Sequence, residues 1–540
     1  MPCGVPASSL RFAAPASLFL EIQPVLGNNE CDRMVGFAGY SRAHASADRV
    51  ACGRHRCPVD DGARAVRVAD VKHGDRVATP MHGGHRGHGA GHLVAAKPAS
   101  IADYLVRVGC NPLTEAFGKR SFSPPWRGSR PVDPGNTDAV IERVFATPRC
   151  ETAVAYLHVP FCQNHCLFCG FFENVWRPEA GPAYVDDLIA ELAAKSHMPL
   201  IASAPIDAIY IGGGTPSALD ADDLSRLIEA LHRYLPLSSD CEITLEGRSH
   251  GFGIAKAVKL ADAGVNRLSI GVQSFSTDVR RRLGRKRSGE EVEAFLSELR
   301  ALGRTSVVCD LIYGLPGQTE ADWRRDIDIV GRIGLDGVTL YALNMFPGGP
   351  MMRAVESGKV PQPAAPAAQA RLYAEAVERL SDSGWLQVSQ SHLVRSPRER
   401  NRYNASIKRG VACLPFGAGA GGQAHGHRWR NVIDLARRRE MLAQNVAPIE
   451  GLALVPFDHA AHAMIAAGLE TGRLDLAAVE ALRPGFRVAI TPLLANWTSA
   501  GLGELRGDGF SPSLAGSFWI SNLTSGLTAG LAAAATAGGG

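Results

Sequence analysis

The chain has 540 residues, 46% of them hydrophobic, enough to bury a large core and to form more than one domain. Its formal charge of +4 is small for that length, and Lys and Arg are scattered, so no nucleic-acid or membrane partner is expected. No run of about eighteen apolar residues spans a bilayer, and "SSLRFAAPASLFLEIQPVLG" is broken by Pro15 without a cleavage site, which points to a cytoplasmic protein.

From residue 1 to about 110, Gly, Ala, Arg and His accumulate, as in "TPMHGGHRGHGAGHLVAAKPAS", and no apolar period is sustained. Such a segment cannot offset its ordering entropy, and a disordered extension over 1–110 is expected. His82, His85, His88 and His92 within it could bind a metal weakly, but without fixed geometry they read as a solvated tail. From Thr152 the texture changes. Short β-branched runs ("VAYLHV", "DAIYIGG", "EITLEG", "NRLSIGV", "SVVCDLIYG", "GVTLYAL") alternate with amphipathic stretches such as "PAYVDDLIAELAAK" and "EEVEAFLSELRALG". This alternation implies right-handed crossovers and a parallel sheet. Six units are three-quarters of the eight that close a TIM barrel, so the expected fold is α/β, an incomplete (β/α)6 TIM-type barrel over residues 111–357 with one side open. After Gly358, "VPQPAAPAAQ" reads as a linker into a smaller, helix-rich domain over 358–540, with a Gly-rich turn at "PFGAGAGG". The final "LTAGLAAAATAGGG" reads as a frayed tail.

The chemistry concentrates in "YLHVPFCQNHCLFCGFF", where Cys162, Cys166 and Cys169 fall within eight residues. Twelve cysteines are dilute in so long a chain, and three this close cannot form a disulfide framework, which points to reduced thiols and a metal. Thiolates at C-x3-C-x2-C can hold three irons of a [4Fe–4S] cluster while the fourth iron stays open to another ligand. The competing zinc site would need a nearby fourth ligand, for which His165 is the candidate. In "YIGGGTP" three glycines follow the second strand, where missing side chains let backbone approach a small polar ligand. Glu246, Gln273, Arg285 and Asp310 lie at or beyond the ends of later strands; each could serve such a ligand, and each could equally cap a turn or face solvent.

The pattern YxHxPFCxxxCxxC…GGGTP…E…GVQSF…DLIYGLPGQT resembles the radical S-adenosylmethionine (SAM) superfamily, and within it the HemN-like branch that contains oxygen-independent coproporphyrinogen oxidase, over about Ala153 to Gly422. The resemblance implies a radical SAM core with a HemN-like C-terminal domain, a cluster on Cys162, Cys166 and Cys169, and SAM chelated to its open iron and cleaved by one electron. It places Tyr156, Gly213 and Glu246 on a first SAM, and Phe168, Gly214, Thr215, Gln273, Arg285 and Asp310 on a second, with Tyr156 and His158 as catalytic groups. An external one-electron reductant such as a flavodoxin or a reductase is implied as well. Two departures narrow the branch. The oxidase pattern has a further cysteine two residues after the third ligand, whereas this chain reads "CGFF"; and Glu246 sits in "LEGRSHGF". With "RERNRYN" and "CLPFGAGAGG", these look like the anaerobic heme-utilisation subgroup, the HutW/ChuW type of radical SAM methyltransferase, which implies a heme substrate, methylation, opening of the macrocycle and release of iron. An oxidative decarboxylase of a porphyrinogen and a HemW-type heme chaperone are the alternatives. On the leading reading, Phe161, Phe168, Phe171 and Phe172 are candidates for a dry shell, and Arg398, Arg400, Arg402 and Arg409 for propionate partners. The turn Gly417 to Gly422 could approach SAM or porphyrin, and His158, His425 and His427 are candidate iron ligands or proton donors.

Overall fold

A computed structural model describes residues 100–121 and 128–537; the four histidines between His82 and His92 lie outside them. Six parallel strands run in chain order: β1 (Ala153–Val159), β2 (Ile206–Gly213), β3 (Leu237–Gly247), β4 (Arg267–Gln273), β5 (Ser306–Tyr313) and β6 (Gly337–Ala342). The crossovers carry α1 (Ala180–Lys195), α2 (Ala221–Tyr234), α3 (Ile254–Ala263), α4 (Gly289–Leu302) and α5 (Glu320–Ile333). The strands are almost wholly buried because helices cover the outer face, which is why they read as continuous apolar runs. Their starts are set locally: α4 and α5 open on reciprocal capping boxes, Ser288 with Glu291 and Thr319 with Asp322.

The sheet extends beyond these six strands. Residues after Gly358 supply α6 (Pro366–Asp382), the hairpin β7 (Leu386–Ser389) and β8 (His392–Val394), then α7 (Arg402–Lys408) and four strands, β9 (Cys413–Phe416), β10 (Gly421–Ala424), β11 (His427–Asn431) and β12 (Ile449–Leu454). β8 pairs antiparallel with β6, while β9 lies parallel to β1 in the register Pro415↔Tyr156. Thirteen strands thus form one open sheet, ordered from the short strand Arg130–Pro131 through β12, β11, β10, β9, β1, β2, β3, β4, β5, β6 and β8 to β7. The sheet stays open, as six units require, but its first-strand edge is occupied by β9.

Two expectations are corrected. Structure begins before residue 110: Val106 exchanges hydrogen bonds with Asn496 at 2.8 and 2.9 Å, and the Trp497 indole N–H donates to the Tyr104 carbonyl. The C-terminal stretch is a helix, α8 (Ile520–Ala537), in which Leu523, Leu527 and Leu531 are fully buried. Leucines four apart share one helix face, and that stripe was hidden among alanines and glycines.

Candidate active site

The loop leaving β1 holds Cys162 and Cys166 buried and Cys169 half-buried, all three as free thiols. The Cys162 sulfur lies 3.3 Å from Thr215 Oγ1 and 3.7 Å from Arg248 Nη2, and Cys169 accepts the Phe171 N–H at 3.3 Å. Burial pushes the Cys162 thiol up against the pull of Arg248 and Thr215, and burial raises Cys169 likewise. Among the described residues, no three His, Cys, Asp or Glu side chains gather closely enough to hold a single metal ion. A cluster binds each thiolate on a separate iron and asks for wider spacing. Of the four phenylalanines, Phe161 is buried and Phe168 is partly buried. Phe172 stacks on His165 at 4.5 Å, whereas Phe171 stays 61% exposed and closes nothing.

The glycines after β2 have a reason inside the chain. A Cβ on Gly213, at φ +116, would stand 2.7 Å from His158; one on Gly214 would meet the Phe161 carbonyl oxygen at 2.5 Å, and one on Gly212 would meet Glu246 at 2.9 Å. Their openness lets β1 and β3 approach, and the Gly213 N–H consequently donates to Glu246 Oε2 at 3.2 Å. The other carboxylate oxygen of Glu246 accepts from Tyr210 at 2.7 Å. Burial raises the Glu246 pKa while Tyr210 and Gly213 hold it back. The register aligns Tyr156 with Tyr210, and Tyr403 of α7 packs on both rings, at 6.2 and 4.8 Å. The Tyr156 hydroxyl meets His158 Nδ1 at 2.9 Å. On its other side His158 Nε2 faces Glu173 Oε2 at 3.6 Å, too far for a hydrogen bond, and both atoms are buried without a partner.

A second group forms where β4 ends. Gln273 takes φ +74 at an irregularity between Gly271 and Gln273, a strained geometry for a non-glycine residue. Arg285 donates to the Gly271 carbonyl at 3.2 Å and lies over the Phe168 ring at 5.5 Å. Its Nε is buried and unpaired, and burial lowers its pKa. Asp310 sits opposite Gly271 and Thr339 and accepts from Ser269 at 3.2 Å. Burial, then the charge of Glu246, raises its pKa to about 7.

Other candidates lie elsewhere. Arg398 donates to the Gly303 carbonyl, and Arg400 and Arg402 pair with Asp240, at the end of β3 opposite the cysteine loop. They are engaged with the chain because Asp240 and Glu242 face them across the sheet bottom. His425 meets the Thr147 carbonyl, and His427 meets that of His425, on the β10–β11 turn. Gly417, at φ +92, packs on the His158 carbonyl, where a Cβ would come within 2.6 Å; the Gly-rich turn thus serves contact with β1. Arg409 and Lys408 line a cavity of about 750 Å³ with the small residues Ala463 and Ala467. A neighbouring cavity of about 320 Å³, lined by Tyr341, Asn404 and Lys408, shares Ser389, Asn401 and Lys408 with it. Residues the sequence reading did not single out include Arg248, Glu173, Tyr210, Tyr341 and Tyr403. The quoted "LEGRSHGF" contains Arg248, and Glu173 directly follows the quoted "CGFF", which is the only signal the sequence offered for these two.

The open sheet, the cysteine loop at its strand ends and the glycine shelf define a radical SAM protein. A model of the Radical SAM superfamily matches residues 156–330. The chain is 40% identical over 420 residues to anaerobilin synthase of Escherichia coli O157:H7, spanning 76% of this chain and 92% of that protein, and it belongs to that family. It is also 29% identical over 299 residues to heme chaperone HemW of Bacillus subtilis (strain 168), 54% of this chain and 77% of that one. The solved structure of coproporphyrinogen III oxidase (HemN) from Escherichia coli shares the fold, with TM-score 0.64 at 22% identity over 76% of this chain and 96% of that one. Membership of the superfamily implies a [4Fe–4S] cluster and SAM. The donor set fits them: three thiols with no fourth beside them among the described residues, the buried Arg285 guanidinium with an unpaired Nε, and orphaned polar atoms at His158 and Glu173. No helix among the described residues is long and apolar enough to cross a membrane.

Proposed function

We propose that this chain is a radical SAM enzyme that degrades heme without oxygen, by radical methyl transfer with opening of the macrocycle and release of iron. The observation that carries the reading is the three-thiol loop, with Thr215 and Arg248 against Cys162, in a chain that matches nearly the whole of an anaerobilin synthase. When bound, cluster and SAM together supply one-electron cleavage of a SAM carbon–sulfur bond. Cys162, Cys166 and Cys169 are the cluster ligands on this reading, and Arg248 offsets the charge of the Cys162 thiolate.

Tyr156, Gly213 and Glu246 hold one SAM; Phe168, Gly214, Thr215, Gln273, Arg285 and Asp310 hold a second, with Arg285 offering its unpaired guanidinium to a carboxylate. Asp310 stores a proton near neutral pH, and the Tyr156–His158 contact gives a donor facing the same interior. The larger of the two adjoining cavities sets the small residues Ala463 and Ala467 beside the Arg409 guanidinium, which suits a flat apolar ligand with a carboxylate, while Lys408 at their junction is paired with Glu470. An external one-electron reductant, flavodoxin or a reductase, completes the turnover, and the reduced cysteines suit the cytoplasm. Replacing Cys162, Cys166 and Cys169 together by Ala should abolish bound iron, cluster absorbance and SAM cleavage. A triple variant that keeps about four irons per chain would refute the assignment.

A further inference from the structure

The stretch Arg280 to Arg287, "RRRLGRKR", has a cation at every position except Leu283 and Gly284, and the site described above uses only Arg285. Arg280 is buried and committed to the carbonyls of Val272, Ser274 and Arg287. Arg281, Arg282 and Lys286 face solvent, and Arg287 is half-exposed. Across from Lys286 and Arg287 stand Arg248 and His250, and these four line one hollow, with Thr215 and Arg285 deeper in it and no carboxylate among its lining residues. The acids of this stretch are held in other contacts. Glu291 closes the cap at Ser288, Glu290 binds Thr277 and Arg325, and Asp278 stands 3.9 Å from Arg281. His250 feels the result: burial, then Lys286, Arg287 and Arg248, lower its pKa.

The floor of the hollow is the cysteine loop. Asn164 donates to the Gly284 carbonyl at 2.9 Å and reaches to 3.8 Å from the Cys166 sulfur. Arg248 bridges Asn164 Oδ1 at 3.1 Å and the Cys162 sulfur at 3.7 Å. A positively charged face therefore lies one side-chain layer from two of the three thiols, in a protein whose net charge is only +4.

We propose that this face, with Lys286, Arg287 and His250 at its rim, is the docking surface for an acidic one-electron donor protein, with Asn164 and Arg248 between donor and cluster. The inference rests on the assignment of the cluster to Cys162, Cys166 and Cys169. One electron leaves the reduced prosthetic group of the donor and enters the cluster; the donor is oxidised by one electron, the cluster is reduced by one, and no bond or proton moves. Opposite charge steers such an encounter and raises its rate by about ten- to a thousandfold at low salt, a gain that screening removes.

The test uses the full chain with its cluster, before any SAM or heme is added, so its outcome is independent of the heme reaction. Reduced flavodoxin, an acidic flavoprotein, is mixed with parent and with the Lys286→Glu/Arg287→Glu variant, and the bleaching of cluster absorbance is followed by stopped flow. Flavodoxin affinity is read in parallel by calorimetry. Photoreduced deazaflavin, a small donor without a protein surface, is the control. At low ionic strength the variant should be reduced by flavodoxin at least about tenfold more slowly and bind it correspondingly more weakly. The gap should narrow as salt is raised, and deazaflavin should reduce both proteins at one rate. Equal flavodoxin rates at low salt would overturn the proposal. So would parallel loss with both donors, which would place Lys286 and Arg287 in the environment of the cluster itself. Failure of the parent to show any cluster would count against the functional reading.

Discussion

Asp310 gives the account its sharpest pH dependence. Its carboxyl is buried on β5 with Glu246 nearby, and those two influences lift its pKa from 3.8 to about 7 despite help from Thr339, Arg267 and Ser269. SAM carries a sulfonium and an ammonium, so a contact with Asp310 favours the ionised carboxylate. With a pKa near 7, about a tenth of the ligand-free protein is ionised at pH 6 and about nine-tenths at pH 8, so apparent affinity should improve roughly tenfold across that interval. The sign for stability is the reverse of an ordinary paired aspartate. A raised pKa means that the folded state binds the proton more tightly than the unfolded one, so ligand-free stability declines as pH rises from about 4 to about 7. Equilibrium SAM binding by calorimetry on reconstituted protein, at pH 6, 7 and 8, would show the slope. The Asp310→Asn variant should bind weakly and without it. A parent affinity that does not change with pH, or an identical slope in Asp310→Asn, would refute the reasoning.

Three further predictions follow from packing. Glu191 is fully buried and accepts from Lys195 at 2.5 Å, Arg438 at 2.5 Å and the Gly417 N–H at 2.8 Å; burial opposes its charge, but these partners hold its pKa down to about 2. Its contribution is fully present above the ordinary 4.5 and lost as pH falls through about 2. Glu191→Gln should cost about 3 kcal/mol near neutral pH by that shift, and denaturation midpoints should show the gap to the parent closing in acid. Gly213→Ala places a methyl against His158 at positive φ, so thermal unfolding should report a loss of about 1–3 kcal/mol, with SAM affinity falling alongside. Deleting residues 1–99, upstream of the Ser100 cap, should leave cluster content and heme turnover unchanged, as iron analysis and product yield would show.

Local spacing made much of this legible. Six strand and helix periods announced the curved sheet, and C-x3-C-x2-C announced the loop after β1, because both are written within a few dozen residues. Contacts between distant segments were not legible. Tyr403 reaches Tyr210 only because α7 enters beneath β1 and β2. The buried Arg267–Glu399 pair at 2.8 Å joins β4 to the segment whose arginines were candidates for propionate partners. β9 was hidden because four residues, "CLPF", carry no period of their own and read as the entry to a turn; their strand character comes from pairing with β1. For the glycines after β2, openness was legible, but the neighbour that fills it, His158 on the adjacent strand, was not.

The central claim is the chemistry performed on the tetrapyrrole, and product analysis reaches it most directly. Anaerobically reconstituted protein, incubated with SAM, a one-electron reductant and heme, should yield an iron-free, methylated linear tetrapyrrole by mass spectrometry, and no such product when Cys162, Cys166 and Cys169 are replaced by Ala. Heme recovered intact, with coproporphyrinogen III efficiently decarboxylated by the same preparation, would contradict the account.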